Sequence, residues 1–231
     1  MAHALATRLA DGAQALSLSL SPTQQSQLLD YLDLIAKWNK VYNLTSVRDP
    51  AEMLTHHVLD SLAVIPALRR QLQAHALAAR SARPLADQPP IRVLDVGSGA
   101  GLPGTVLAIA CPELDVTCVD TVAKKAAFIQ NTAISLKLPN LRGVHARVEE
   151  LQAEPFDMVT SRAFSSLIDF VSLTRFHVKQ PSGVWLAMKG KHPADELAAL
   201  PNDVEVFHVE PLDVPGLGAE RCLVWMRKTA G

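Results

Sequence analysis

Asp95-Val96-Gly97-Ser98-Gly99-Ala100-Gly101-Leu102-Pro103-Gly104 is the stretch that decides the fold of this chain. Ile91 to Leu94, just ahead of it, reads as a buried parallel strand over 91–96. Thr105 to Ala110, just behind it, reads as a helix packed back on that strand. Gly97, Gly99 and Gly101 recur at every second position, where they let the backbone turn sharply and bring a ligand close to main-chain N–H groups. Strand, glycine turn and helix in that order form a nucleotide-cofactor cradle.

The ligand class turns on Asp95. Gly99-x-Gly101-x-x-Gly104 satisfies the dinucleotide fingerprint, so a nicotinamide or flavin cofactor is one reading. A carboxylate at the end of the strand weakens a pyrophosphate site, whereas a ligand carrying a sulfonium and an ammonium group gains from it. Asp95, with the additional glycine Gly97, therefore favours S-adenosylmethionine. Both readings call for an acid closing the second strand to bind ribose hydroxyls, and Asp120, after Leu114 to Val119, supplies it. A glycine turn without a ligand is the third reading.

Composition narrows the class further. At 231 residues the chain can bury a full core, with room for one domain and an appendage. Hydrophobic residues make up 48% and charged residues 19%, the balance of an ordinary water-soluble domain. No apolar run approaches the roughly 20 residues of a membrane span, and the N-terminal stretch lacks a signal-peptide pattern. Cys111, Cys118 and Cys222 form no CxxC pair, which suits reduced thiols in a cytoplasmic protein and argues against a metal site. The net charge of −1 gives no general attraction for nucleic acid, so an RNA substrate needs local basic patches.

Outward from the loop, strands are expected at 91–96, 114–120, 141–146, 156–160 and 183–189, with helices near 104–111, 122–137 and 165–178. This alternation predicts a mostly parallel, Rossmann-like α/β sheet. Two further strand-like runs, Val204 to Val209 and Cys222 to Met226, predict a C-terminal antiparallel hairpin. Toward the N-terminus, Ser21-Pro22 reads as an N-cap with proline at the first helical position, opening a helix up to Trp38. Asp49-Pro50-Ala51-Glu52 opens a second through Leu62, and 67–80 is a third. Ser81 to Pro90, with three prolines, is the expected linker. The expected organisation is thus a helical extension and linker over 1–90 and an α/β domain over 91–231.

Motifs beyond the loop sharpen the reading. Trp38-Asn39-Lys40-x-Tyr42-Asn43-Leu44-Thr45, His57 with Asp60-Ser61-Leu62, and Lys124-Lys125-x-x-Phe128 are followed by Arg147-Val148-Glu149-Glu150, Ser161-Arg162-Ala163-Phe164 and Lys189-Gly190. In this order, with the glycine loop, they resemble the RsmG/GidB family from about residue 20 onward. The resemblance implies a class I S-adenosylmethionine-dependent methyltransferase acting on N7 of one guanine, position 527, of bacterial small-subunit (16S) rRNA. It implies cofactor contacts at Gly97, Leu102, the Val148-Glu149 pair and Arg162. The segment from Gln71 to Gln88 departs from the family by its length.

The residues agree with that chemistry. Arg162 stays protonated, cannot act as a base, and suits an anion such as the cofactor carboxylate or an RNA phosphate. Ser161-Arg162-Ala163-Phe164 holds no Asn or Asp acceptor of the kind amine methylation uses, and no cysteine sits in a suitable loop for carbon methylation. Guanine N7 needs neither device, so no general base is expected and Arg162 and Phe164 become candidates for positioning the substrate. Stacking of the base on Phe164 would contribute roughly 1–3 kcal/mol; a core aromatic is the bland alternative. Lys124, Lys125, Arg147, Lys189 and Lys191 cluster at the carboxyl edge of the expected sheet and are the RNA-binding candidates. Trp38, Asn39, Tyr42, Asn43, His56, His57 and Asp60 read as a docking cluster for the N-terminal helices rather than a metal site. A monomer without bound metal or membrane attachment is expected. The alternatives are an NAD(P)-binding oxidoreductase and a non-catalytic ribosome-assembly factor on the same fold.

Overall fold

The computed structural model describes residues 4–79 and 89–229. Seven strands form one sheet: β1 (Ile91–Val96), β2 (Leu114–Asp120), β3 (Leu141–His145), β4 (Met158–Arg162), β5 (Val184–Lys189), β6 (Val204–Pro211) and β7 (Cys222–Lys228). Their spatial order is β3-β2-β1-β4-β5-β7-β6. The first five are parallel, and β7 runs antiparallel between β5 and β6. The terminal hairpin expected from the sequence is therefore present, folded back so that its second strand lies inside. β4 spans 158–162 rather than 156–160, so Arg162 is the last strand residue instead of following the strand. Phe156 makes only an isolated bridge to Val178.

Five helical segments precede the sheet: α1 (Ala6–Ala15), α2 (Pro22–Tyr42), α3 (Pro50–Met53), α4 (Asp60–Leu62) and α5 (Val64–Ala79). A π-helical turn over Leu54–Leu59 joins α3 to α4. Ser21 caps α2 through the Gln24 N–H while the Gln24 side chain accepts from the Ser21 N–H, a full capping box. Asp49 caps α3 through Ala51 and Glu52. The expected linker, apart from Pro89 and Pro90, lies outside the described residues, as does the second half of the long segment from Gln71 to Gln88, whose first half belongs to α5.

Four more helices pack on the sheet: α6 (Gly104–Ala110), α7 (Ala123–Ser135), α8 (Leu167–Thr174) and α9 (Ala194–Ala198). Alternation along β1 divides the interior. Val93 faces a core shared with α1, α2, α6 and α7, whereas Leu94 and Val96 face one shared with α8. Helix α1 was not expected from the sequence, because Gly12 interrupts it and Leu5 gives no side-chain cap. Packing overrides that weakness: Leu9 is wholly buried, and a Cβ at Gly12 would stand 2.6 Å from a Leu59 methyl. Helix α9, also unexpected, is one turn long. The order of strands reverses between β1 and β4, so their carboxyl ends flank the crevice where ligands bind in open α/β sheets.

Candidate active site

The glycine loop leaves β1 at that crevice. Gly97 and Gly99 take φ of +66° and +61°, and a Cβ built on either meets no atom within 4 Å, so the loop presents open space on its outer side. Its inner side is tight: a Cβ at Gly104 would lie 2.8 Å from Asp95 Oδ2. Asp95 is fully buried beneath the loop, where Oδ2 accepts from the Gly104 N–H at 2.9 Å. Oδ1 has no hydrogen-bond partner among the described residues. Burial pushes the Asp95 carboxyl up to about 7, against the downward pull of the Gly104 N–H and Arg162. A cradle with open glycine faces, over a buried carboxylate with one oxygen unpartnered, fits a cationic amino-acid-like group.

Asp120, at the end of β2, accepts from the Gly99 N–H at 2.9 Å and the Val122 N–H at 2.8 Å, with Lys125 Nζ 3.9 Å away. Two such bonds leave its carboxylate lone pairs for ribose hydroxyls. Leu102 is buried, so any ligand contact there falls to its backbone. Val148 and Glu149 lie on a 3-10 turn after β3. Val148 is buried with its carbonyl held by His177, and exposed Glu149 pairs with Arg147 at 2.8 Å, its pKa lowered first by its own backbone N–H and then by Arg147. Lys124 is exposed near the start of α7.

A second feature opens beside the loop. A cavity of about 440 Å³ lies between the π-helical turn and the carboxyl ends of β4 and β5; His56, His57, Asp60, Arg162, Lys189 and Arg221 are among its lining residues. Arg162 Nη1 donates to Asp60 Oδ2 at 3.0 Å and to the His56 carbonyl at 2.9 Å. Arg221 Nε donates to Asp60 Oδ1 at 2.8 Å. Asp60 itself is almost wholly buried. His57 is held neutral, its pKa lowered to about 4 by burial and then by the Arg162 guanidinium, and its Nε2 lies 2.9 Å from Thr45 Oγ1. Lys189 pairs with Glu196 at 2.8 Å, whereas Lys191 is exposed. Phe164 is part-buried with its ring 5.5 Å from that of Phe170.

Arg162 and Lys189 thus meet at one cavity, while Lys124, Arg147 and Glu149 stand at the surface around β2 and β3. Asn39 belongs to the frame: it accepts from the Thr45 N–H at 2.9 Å and donates to the Val47 carbonyl at 3.3 Å, fixing the turn between α2 and α3. Sequence reasoning missed Arg221. It sits in a loop without motif, and only its place one residue before β7, whose Cys222 pairs with Lys189, brings it to the cavity.

A sequence model of the GidB family, described as rRNA small subunit methyltransferase G, matches residues 24–224. The chain belongs to this family. Ribosomal RNA small subunit methyltransferase G from Acidovorax sp. (strain JS42) is 63% identical over 222 residues, covering 96% of this chain and 95% of its own length. The protein of that name from Paracidovorax citrulli (strain AAC00-1) is 60% identical over 230 residues, covering 100% of this chain and 93% of its own length. The structure of a SAM-dependent methyltransferase from Aquifex aeolicus shares the fold, with a TM-score of 0.53 at 15% identity over 81% of this chain and 97% of that one. Membership in the GidB family sets aside the oxidoreductase alternative. The overlapping GxGxxG is a feature of the loop geometry, not of a nicotinamide site.

Proposed function

We propose that this protein transfers a methyl group from S-adenosylmethionine to N7 of one guanine, position 527, of 16S rRNA. The observation that carries the reading is the open face of Gly97 and Gly99 over Asp95, set beside a cavity bearing Arg162, Lys189 and Arg221, in a chain of the GidB family. Asp95, Gly97, Gly99, Gly101, Leu102 and Asp120 would hold the methionine and ribose parts of the cofactor, with Val148 and Glu149 at its adenine and Arg162 at its border with the RNA. The bound cofactor supplies an electrophilic methyl group; the chain supplies placement.

Guanine N7 has an available lone pair and no proton to remove, so no general base is required. The side chains support this. Ser161 Oγ already donates to the Val96 carbonyl at 2.8 Å, and His57, with a pKa near 4, is a feeble proton acceptor. Alignment of the two reactants contributes on the order of 7–11 kcal/mol of barrier reduction through effective molarity. Phe164 is the candidate platform for the base, and Lys124, Lys125, Arg147 and Lys191 a flanking basic rim. Among the described residues no helix is long and apolar enough to cross a membrane; we place the enzyme with the ribosomal subunits in the cytoplasm, working as a monomer.

The test is incubation with radiolabelled S-adenosylmethionine and small subunits lacking the modification, followed by borohydride and aniline cleavage of the rRNA. Label at one guanine, with cleavage there, is expected. Binding of cofactor or of rRNA without transfer would indicate an assembly factor instead, and absence of cofactor binding would sink the methyl-transfer reading.

A further inference from the structure

Resting on that reading, we infer that the cavity beside the π-helical turn grips one phosphodiester group of the RNA strand next to the target base. Arg162 and Arg221 serve as a paired clamp, and Asp60 is their positioning residue. Each Asp60 oxygen is taken by a different arginine, at 3.0 and 2.8 Å, so one carboxylate orients both guanidinium groups. The bonds recorded for Arg162 use only Nη1, and those for Arg221 only Nε and Nη1. Arg162 Nε and Nη2 and Arg221 Nη2 therefore remain as donors without an acceptor among the described residues, at the wall of a cavity of about 440 Å³. Forked guanidinium donors held in fixed orientation match an acceptor with several oxygens, above all a phosphate.

Charge points the same way. The two arginines outnumber Asp60 by one, and the further charge of Lys189 is answered by Glu196 at 2.8 Å. The surplus of one positive charge matches one phosphodiester. The cofactor carboxylate is the other source of an oxyanion, but Arg221 precedes β7, three strands from β1 in the sheet, which at about 4.8 Å per strand puts its backbone on the order of 14 Å from the strand carrying the cradle.

The measurement is steady-state methyl transfer to unmodified small subunits over a range of salt concentrations, with equilibrium binding of S-adenosylmethionine and thermal melting alongside. Arg221→Gln is expected to raise KM for subunits about ten- to a hundredfold, with cofactor affinity unchanged. It should also lower the slope of log KM against log salt by about one, the signature of one lost phosphate contact. Asp60→Asn is expected to raise KM without lowering the slope, since both cations remain but are no longer aimed. If Arg221→Gln melts early, Arg221→Lys carries the test, with KM raised and the slope retained. Weakened cofactor binding at unchanged subunit KM would assign the anion to the cofactor and overturn the inference, as would variants that match wild type throughout. Wild-type protein that methylates no rRNA would overturn the proposed function itself, and that control separates the two failures.

Discussion

Asp95 is the residue whose chemistry the fold alters most. Wholly buried, with one oxygen unpartnered, its carboxyl titrates near 7 instead of near the usual ~3.9. A raised folded-state pKa favours the folded protein at low pH, and that contribution is lost as pH rises through about 7. Asp95→Asn should therefore gain in Tm relative to wild type between pH 5 and pH 8, read by thermal melting without cofactor. The cofactor reverses the balance, because a cationic ligand stabilises the ionised form. Its affinity for wild type should climb with pH up to about 7, while the Asn variant should bind more weakly by roughly 1.5–3 kcal/mol at pH 8 and show no such climb; calorimetric titration at pH 6 and 8 checks both. His57 works in the opposite sense. Its pKa is depressed to about 4, so its contribution is present above the unfolded value near 6.5 and lost as pH falls toward 4. Asp95 was legible in the sequence because a charged residue inside an apolar strand is conspicuous. Its orphaned oxygen and shifted titration were not, since both depend on how closely α6 covers it.

At the scale of elements, α2 is more than an appendage. Its Tyr31, fully buried, donates from the phenol to the Ala100 carbonyl at 2.6 Å and so holds the glycine loop from behind. Tyr31→Phe keeps the ring packing against Phe128 and removes this bond together with the longer one, at 3.4 Å, to the Gly101 carbonyl. Cofactor affinity is expected to fall by about 0.5–1.5 kcal/mol with kcat nearly unchanged, measurable by binding and saturation kinetics; equal affinity would show the loop to be rigid without it. The helix itself was legible from Ser21-Pro22 and its apolar spacing, but nothing in the sequence singles out Tyr31 as the support of the loop. The π-helical turn was illegible for a related reason. Met53, Leu54, Val58 and Leu62 have helical spacing, and the extra residue in the turn exposes no unusual side chain; Thr55, His57 and Leu59 are buried as well. The added residue in the turn shifts Asp60 relative to a regular α-helix. Asp60 turns toward the arginines.

Across the whole molecule the N-terminal helices and the sheet bury one continuous core. Leu28, Tyr31 and Ile35 share it with Val106, Leu107 and Phe128. Gln24 donates to the Ile109 and Ala110 carbonyls at the end of α6, and Gln27 to the Leu136 carbonyl at the end of α7, so α2 caps two helices of the α/β part. Leu28→Ala should cost about 2–5 kcal/mol and lower a single cooperative transition, seen alike by circular dichroism and tryptophan fluorescence; two separated transitions would mean that the halves fold independently. The succession of strands and helices was legible because strand, turn and helix signals are local, and boundaries fell within two residues for most strands. The cavity was not, because its parts are brought together only by the completed sheet. Asp60 and Arg221 stand 161 residues apart along the chain. The cradle's own bonds join residues within 95–120, whereas the grip on Asp60 joins the N-terminal helices to the end of β4 and to the loop before β7. A disturbance of the pairing between β5 and β7 would therefore loosen Asp60 while leaving the bonds of the cradle in place.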